Sequence, residues 1–222
     1  MGIADNINEI KGKLPSGVKL VAVSKFHPVE AIEEALAAGQ TVFGENRPQE
    51  FEKKVQALQG RGIEWHFIGH LQTNKLKMVL PYADLVQSVD SIHLLEAIND
   101  WGAKNGKVIP VLLEIHVAAE ETKTGFYEEE ILDLMFRAGS YKNVRFCGLM
   151  GMATNTDDEG AIRADFGRIK AFYDYLRDLF PEYSAFKELS IGMSGDWPLA
   201  LDYGATIVRI GTAIFGEREK VA

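Results

Sequence analysis

A lysine follows directly on an apolar run near the start of the chain. The run at 20–23 reads LVAV, and Ser24, Lys25 and Phe26 come next. An apolar setting favours the neutral form of a lysine amine, because desolvation disfavours its charged form. A neutral amine attacks aldehydes and forms Schiff bases with carbonyl compounds. The position is equally compatible with a solvated charge at the end of a strand.

Two loops near the other end of the chain are suited to binding an anion such as phosphate. The stretch GMSGDW at 192–197 contains Ser194 between glycines, and Gly211 and Thr212 open the stretch GTAIFG. Small residues let backbone N–H groups approach an anion closely, and hydroxyl groups add donors. Because Gly/Ser/Thr loops are mostly ordinary turns, their significance depends on where the fold places them.

Arg209 lies inside the apolar run TIVRIG, two residues before the second of these loops. A guanidinium in such a run is costly unless it has partners. Its chemistry predicts either a cation that faces a ligand or a structural ion pair, and leaves both open.

Two histidines, His66 and His70, are four residues apart in HFIGHLQTNK. That spacing would chelate a metal on a helix, but His66 falls in a predicted strand, where four residues span about 13 Å. We therefore expect no metal site here, a packed His66, and a His70 that lies in a loop at the mouth of a site. Cys147 falls in the middle of a predicted strand and reads as a small buried hydrophobic residue.

Eight short β-rich runs, each followed by a helical pattern, position these residues. The runs are 19–24, 41–46, 64–69, 85–90, 109–117, 144–151, 188–193 and 206–211. Strict alternation of strand and helix predicts a parallel sheet, and eight units over about 200 residues predict a single (β/α)8 barrel over 1–222. An open doubly wound sheet is the alternative, but the turn after its first strand is usually rich in glycine, and here it reads SKFHP. An additional helix at about 4–13 is expected to plug or flank the barrel.

The predicted barrel indicates where a site should lie. Barrel sites are at the carboxyl ends of the strands, and phosphate is often bound by the loops after strands seven and eight. Lys25, Ser194 and Thr212 all fall there, and strands one and eight are neighbours in a closed barrel. The sequence therefore predicts that the two ends of the chain meet at one ligand.

Composition limits the partners of the protein. The 222 residues carry a net charge of −8, which makes general attraction to nucleic acid or anionic membrane improbable. The single cysteine and the lack of a signal-like or membrane-length apolar stretch indicate a cytoplasmic protein. Charge does not choose between a monomer and a weak dimer.

Several stretches, in this order, resemble the YggS/PROSC family of pyridoxal phosphate homeostasis proteins. They are LVAVSK, FGENRPQE, WHFIGHLQTNK, SVDS, EETKTGF, GLMGMA, LSIGMSGDW and VRIGTAIFGER, which together extend from 19 to 218. The resemblance implies a barrel similar to the N-terminal domain of alanine racemases. It also implies pyridoxal 5′-phosphate (PLP) as the cofactor, with PLP-dependent apo-enzymes as possible recipients.

The resemblance also assigns roles to single residues. It implies that Lys25 forms the Schiff base and that phosphate is bound by Ser194, Gly211 and Thr212. Arg209 would then face the pyridine nitrogen, with Asn46 and Met150 beside the ring. The chain departs from the family near the end of strand five, where Glu114 and His116 stand in place of an expected Gln and Asn.

Two other functions remain open at this stage. The first is a PLP-dependent amino-acid racemase, which needs an acid/base on each face of the substrate. Related racemases take the opposing base from a second domain, which we do not expect in this chain, and His70 or Tyr203 would have to replace it. The second is a cofactor-free barrel enzyme that uses Lys25 on a phosphosugar, as aldolases do.

Overall fold

The computed structural model describes residues 2–120 and 124–217. Residues 121–123 of the stretch EETKTGF, Arg218 of the last matching stretch, and the two ends of the predicted 1–222 domain lie outside the described residues.

Eight parallel strands close into a barrel in which every strand pairs with its sequence neighbours and β8 pairs with β1. The strands are β1 (Lys19–Val23), β2 (Val42–Glu45), β3 (Glu64–Phe67), β4 (Leu85–Val89), β5 (Ile109–Ile115), β6 (Val144–Gly151), β7 (Glu188–Ser190) and β8 (Ile207–Ile210). The predicted (β/α)8 barrel is confirmed, and the open sheet is wrong.

Helices follow the strands and cover the outside of the barrel. They are α1 (Ile3–Lys13), α2 (Val29–Ala37), α3 (Pro48–Ala57), α4 (Leu76–Val79), α5 (Ile92–Asn105), α6 (Glu128–Phe136), α7 (Glu159–Leu179), α8 (Trp197–Leu201) and α9 (Thr212–Phe215). The additional helix α1 contacts α2 and α9, so it flanks the barrel. Ile7 and Ile10 of α1 are buried, and Asn6 Nδ2 donates to Ile214 O of α9 at 2.9 Å.

The strands divide their side chains between two cores, as alternation along a strand requires. The larger core lies between sheet and helices and contains residues such as Leu20, Phe67 and Leu149. A small second cluster fills part of the barrel interior. Its buried members are Val21, Leu85, Leu112, Met150 and Ile207. The other inward positions include buried polar residues, which leaves the interior only partly apolar.

Two local predictions need correction. Most predicted strands run one to three residues too far at their carboxyl ends. Cys147 is half-buried instead of buried, because it lies where the register between β5 and β6 shifts.

Within the described parts of the chain, no helix is both long and apolar enough to cross a membrane.

Candidate functional site

All seven residues predicted to form the site line one cavity at the carboxyl ends of the strands. The cavity has a volume of about 430 Å³, within the ~300–1,000 Å³ typical of small-molecule sites. The predicted residues that line it are Lys25, Asn46, Met150, Ser194, Arg209, Gly211 and Thr212. Parallel pairing of β1 with β8 places Val21 opposite Arg209, which brings the two ends of the chain together.

Lys25 begins the turn that follows β1 and is half-buried. A buried network holds the residue before it. The Ser24 hydroxyl donates to Glu45 Oε1 at 2.6 Å, and Lys54 Nζ donates to Ser24 O at 2.9 Å and to Glu45 Oε1 at 2.7 Å. Burial raises the pKa of Glu45, an effect that the Lys54 ammonium partly opposes. The network fixes the backbone from which the amine of Lys25 extends.

The residue after Lys25 has an unusual backbone conformation. Phe26 has φ = 68°, a left-handed value that is uncommon for a bulky side chain. Its N–H donates to Glu50 Oε2 at 3.1 Å, and the Arg47 guanidinium lies 4.4 Å from the centre of its ring. These contacts from the start of α3 hold a sharp turn beside the amine.

The two anion-binding loops predicted from the sequence meet through Ser194. Its Oγ accepts the N–H of Gly211 at 3.2 Å and the N–H of Ala213 at 3.5 Å. Gly211 also approaches β1 closely, since a Cβ there would lie 3.1 Å from Val23 O. The hydroxyl and N–H groups thus converge on the cavity, as binding a phosphate would require.

Arg209 is buried, and its partners are neutral. Nη1 donates to Ser190 O at 2.8 Å and to Ser190 Oγ at 2.6 Å, and Nη2 donates to Gly151 O at 3.0 Å. Its described hydrogen-bond acceptors are all neutral oxygens, and the charges of Glu114 and Asp196 act on the guanidinium without a direct ion pair among the described residues. Burial lowers the pKa of Arg209 to about 10. Three of its five N–H groups are used, and two remain for a ligand.

The walls of the cavity combine a polar atom that lacks a partner with apolar surfaces. Among the described atoms, Asn46 Oδ1 is buried and has no hydrogen-bond partner. Buried polar atoms are normally satisfied, so this oxygen is suited to accept a hydrogen bond from a ligand. Met150 and Met152 supply polarisable surface that fits a flat ring.

Glu114 lies in the barrel interior near Arg209 and is 3% exposed. Burial, followed by the charge of Asp90, raises its pKa to about 7, while the Thr124 hydroxyl donates to its Oε1 at 3.3 Å. His116 lies past the end of β5, with its ring 5.5 Å from that of Tyr127. Of the two departures in strand five, only Glu114 changes the electrostatics around Arg209.

Other sequence candidates lie apart from the cavity. His66 is buried on β3, whereas His70 is exposed with its Nδ1 2.8 Å from Asp90 Oδ2, so the two rings belong to separate networks. Tyr203 packs beside Phe166, and neither it nor His70 lines the cavity among the described residues. The position of His70 in a loop after β3 fits the prediction, but its ring does not reach the site.

Sequence reasoning missed several residues that do line the cavity. His27, Ile68, Met152 and Met193 are four of them. His27 stacks on Phe215 with ring centres 5.0 Å apart. Because barrel sites lie at the carboxyl ends of the strands, the loops that contain these residues could be predicted. No sequence motif marks the individual residues.

Comparison with known proteins agrees with this architecture. The family model of the alanine racemase N-terminal domain matches residues 2–219. The pyridoxal phosphate homeostasis protein of Vibrio alginolyticus is 40% identical over 212 residues, covering 94% of this chain and 90% of that protein. The protein of the same name in Aquifex aeolicus is 41% identical over 95% of this chain and 92% of its own length.

The chain belongs to the family of pyridoxal phosphate homeostasis proteins.

Solved structures extend the comparison. PipY of Synechococcus elongatus, a family member at 35% identity, superposes with a TM-score of 0.91 over 96% of this chain and 100% of its own. A second structure of PipY has PLP bound and superposes with a TM-score of 0.90. Alanine racemase of Clostridium difficile is 18% identical with a TM-score of 0.80, and this chain covers 56% of it, so that likeness shows the barrel fold alone.

Proposed function

We propose that this family member binds PLP as a Schiff base on Lys25 and acts in intracellular PLP homeostasis. The observation that carries the proposal is the single cavity that joins the amine of Lys25 to Arg209 and the Ser194 loop. The names of relatives about 40% identical over nearly the whole chain support the role in homeostasis.

The residues of the cavity fit the chemical groups of PLP one by one. The amine of Lys25 matches the aldehyde, and the Ser194 hydroxyl with the Gly211 and Thr212 segment matches the phosphate. Asn46 Oδ1, buried without a partner among the described atoms, matches the phenolic hydroxyl. When bound, PLP would supply a carbonyl for imine formation and a ring that can accept electrons.

Arg209 favours holding the cofactor over demanding turnover. A guanidinium donates hydrogen bonds and does not give up its proton at ordinary pH, so it keeps a facing pyridine nitrogen unprotonated. A neutral pyridine is a weaker electron sink than a pyridinium. Arg209 therefore supports a carrier more than an enzyme of carbanion chemistry.

Visible absorption of the purified protein tests this proposal. Added PLP should give a yellow species that borohydride fixes on Lys25, and Lys25→Ala should abolish the fixation. If the Lys25→Ala protein is reduced and labelled as well as the wild type, the assignment of Lys25 is wrong. Lys75→Ala, in the 3₁₀ helix Thr73–Lys75 after β3 and outside the cavity lining, is the matched control and should be labelled normally.

The same preparation distinguishes the two other functions. Chiral analysis of amino acids incubated with the PLP-loaded protein would reveal a racemase through turnover at ordinary enzyme rates. A cofactor-free aldolase-like enzyme would instead remain colourless with PLP and form a reducible adduct with a phosphosugar. We expect neither result.

Transfer of PLP to apo-enzymes, a monomeric or weakly dimeric state, and the cytoplasmic location form the rest of the proposal. The low cysteine content supports the location. Sedimentation of the pure protein and reactivation of a PLP-dependent apo-enzyme by the loaded protein test the other two.

A further inference from the structure

A line of hydrogen-bonded side chains leads from Arg209 into the barrel interior. Arg209 Nη1 donates to Ser190 Oγ at 2.6 Å, and Ser190 Oγ in turn donates to Gln87 Oε1 at 2.6 Å. Gln87 Nε2 lies 2.7 Å from His66 Nδ1. All three residues beyond Arg209 are essentially inaccessible to solvent.

The line continues to the amino-terminal end of the barrel. His66 Nε2 lies 2.8 Å from Glu64 Oε1, and Lys19 Nζ donates to the same oxygen at 2.5 Å. Glu64 and Lys19 are each more than one-third exposed and line a cavity at that end. We call Ser190, Gln87, His66 and Glu64 the interior relay.

The interior relay crosses the barrel and does not follow its wall. Ser190 is on β7 and Gln87 is on β4, two strands that β5 and β6 separate in the sheet. Their hydrogen bond must therefore span the interior. Buried polar groups require partners, and each member of the interior relay has a partner on both sides.

Each hydrogen bond in this line is donated in the direction that leads from Arg209 to Glu64. Because Gln87 Oε1 accepts from Ser190, its amide nitrogen must face His66 and donate to Nδ1. His66 Nδ1 is then an acceptor, so its proton is on Nε2 and is donated to Glu64. That bond is the largest cause that lowers the pKa of Glu64 to about 2, which keeps the receiving carboxylate ionised.

We propose that Ser190, Gln87 and His66 are positioning residues that fix the guanidinium of Arg209 through a one-way relay ending at Glu64. The role of this guanidinium orientation in binding a ligand rests on the proposed function. The relay itself consists of protein groups and does not require a bound ligand. Because the Ser190 hydroxyl donates its own proton to Gln87, its oxygen is left to accept the hydrogen bond from Arg209.

Nitrogen NMR of the ligand-free protein tests the direction of the relay. We expect His66 to be neutral with its proton on Nε2, and the Nη protons of Arg209 to exchange slowly with water. A His66 that carries its proton on Nδ1, or on both nitrogens, overturns the proposal.

Two substitutions of Gln87 test whether the ends are coupled. Gln87→Leu should speed exchange of the Arg209 Nη protons, leave His66 without a fixed tautomer, and weaken PLP binding about 10-fold, the loss expected for one charge-assisted hydrogen bond. Gln87→Glu gives Ser190 an acceptor again, so slow Nη exchange should return. The new carboxylate also faces His66 Nδ1, so His66 should now be doubly protonated.

The matched control is Gln40→Leu, which changes another buried glutamine that donates to Leu20 O and Val42 O outside the relay. It should leave the His66 and Arg209 signals unchanged. If the Gln87→Leu protein does not fold, Ser190→Ala replaces it and should speed Nη exchange in the same way.

Unchanged Arg209 exchange in Gln87→Leu or Ser190→Ala, or a neutral His66 in Gln87→Glu, overturns the relay. Failure of the wild type to bind PLP instead overturns the proposed function. The NMR results on ligand-free protein still decide the relay in that case.

Discussion

Two carboxyl groups on inward-facing positions have pKa values displaced in opposite directions. The pKa of Glu114 rises to about 7, chiefly because burial disfavours its charge, whereas that of Glu64 falls to about 2, chiefly because His66 donates to it. Their residue type is the same, but their burial and their partners differ. Near neutral pH, Glu114 is thus the one of the two whose charge varies.

Glu114→Gln should therefore change how stability depends on pH. A carboxyl with a raised folded pKa stabilises the fold at low pH, and this contribution is lost as pH rises from the ordinary pKa of 4.5 to the folded value of about 7. We expect the variant to match the wild type near pH 5 and to exceed it by about 2 kcal/mol near pH 8, in urea unfolding of the ligand-free protein.

Glu9→Gln is the control for this experiment, since Glu9 is half-exposed on α1 and pairs with Lys13. Its difference from the wild type should stay within about 0.5 kcal/mol at both pH values. A stability gap for Glu114→Gln that is equal at pH 5 and pH 8 would contradict the prediction.

The ion pair between β2 and α3 is a second feature, at the scale of elements. Glu45 on β2 and Lys54 on α3 are both buried, and Lys54 also binds the backbone of Ser24 at the end of β1. The pair joins three elements beneath the turn that presents Lys25. Nothing local in the sequence marks Lys54 as the partner of Glu45, so this pair could not be predicted.

Lys54→Met should destabilise the protein by about 3 kcal/mol near pH 8, because it leaves a buried carboxylate without its cation. The loss should be smaller near pH 5, since the raised pKa of Glu45 favours its neutral form. Adding Glu45→Gln to Lys54→Met should recover much of the loss. Urea unfolding of the two variants measures this, and a double variant no more stable than the single one would refute it.

The loops after β2 and β3 touch so closely that only glycine fits at one position. A Cβ on Gly69 would lie 2.1 Å from the backbone oxygen of Asn46. Gly69→Ala must therefore push the two loops apart, at a cost of about 1–3 kcal/mol, and it should weaken PLP binding by moving Asn46.

Gly12→Ala is the matched control for Gly69→Ala. Its site on α1 has nothing within 4 Å, and alanine is the better helix former, so the variant should be as stable as the wild type or more stable. Thermal unfolding and PLP titration compare the two, and equal behaviour would count against the close contact.

The sequence predicted the elements better than their ends. Strand β7 was expected at 188–193 but spans Glu188–Ser190. Ile191 N–H and Gly192 O still bond to β8, and the positive φ of Gly192 (93°) then turns the chain out of the strand conformation. The predicted site residues do line one cavity, because the order of strands in a barrel fixes which loops are neighbours. The interior relay was missed, although Gln87 and Ser190 within apolar strands and the packed His66 were local signs of it.

At the scale of the whole molecule, a hydrogen bond joins α1 to α9, which begins in the loop proposed to bind the anion. Asn6 Nδ2 donates to Ile214 O, although the two residues are 208 positions apart. Asn6→Ala should cost about 1 kcal/mol of stability and weaken PLP binding several-fold by loosening α9.

Asn105→Ala provides the comparison, because the Asn105 amide donates to Trp101 O within its own helix. Asn105→Ala should leave PLP binding unchanged, and a PLP titration monitored by fluorescence compares the two asparagine variants. If both asparagine variants bind PLP as the wild type does, α1 has no part in holding the loop.

The pairing of β1 with β8 also has a consequence for biosynthesis. A ribosome adds Lys25 before Thr212, which follows 187 residues later. At the usual ~5–20 residues per second, translation needs on the order of 10–40 s to travel between them. A nascent chain holds the amine long before it holds the anion-binding loop, so capture of the ligand reports a barrel that has already closed.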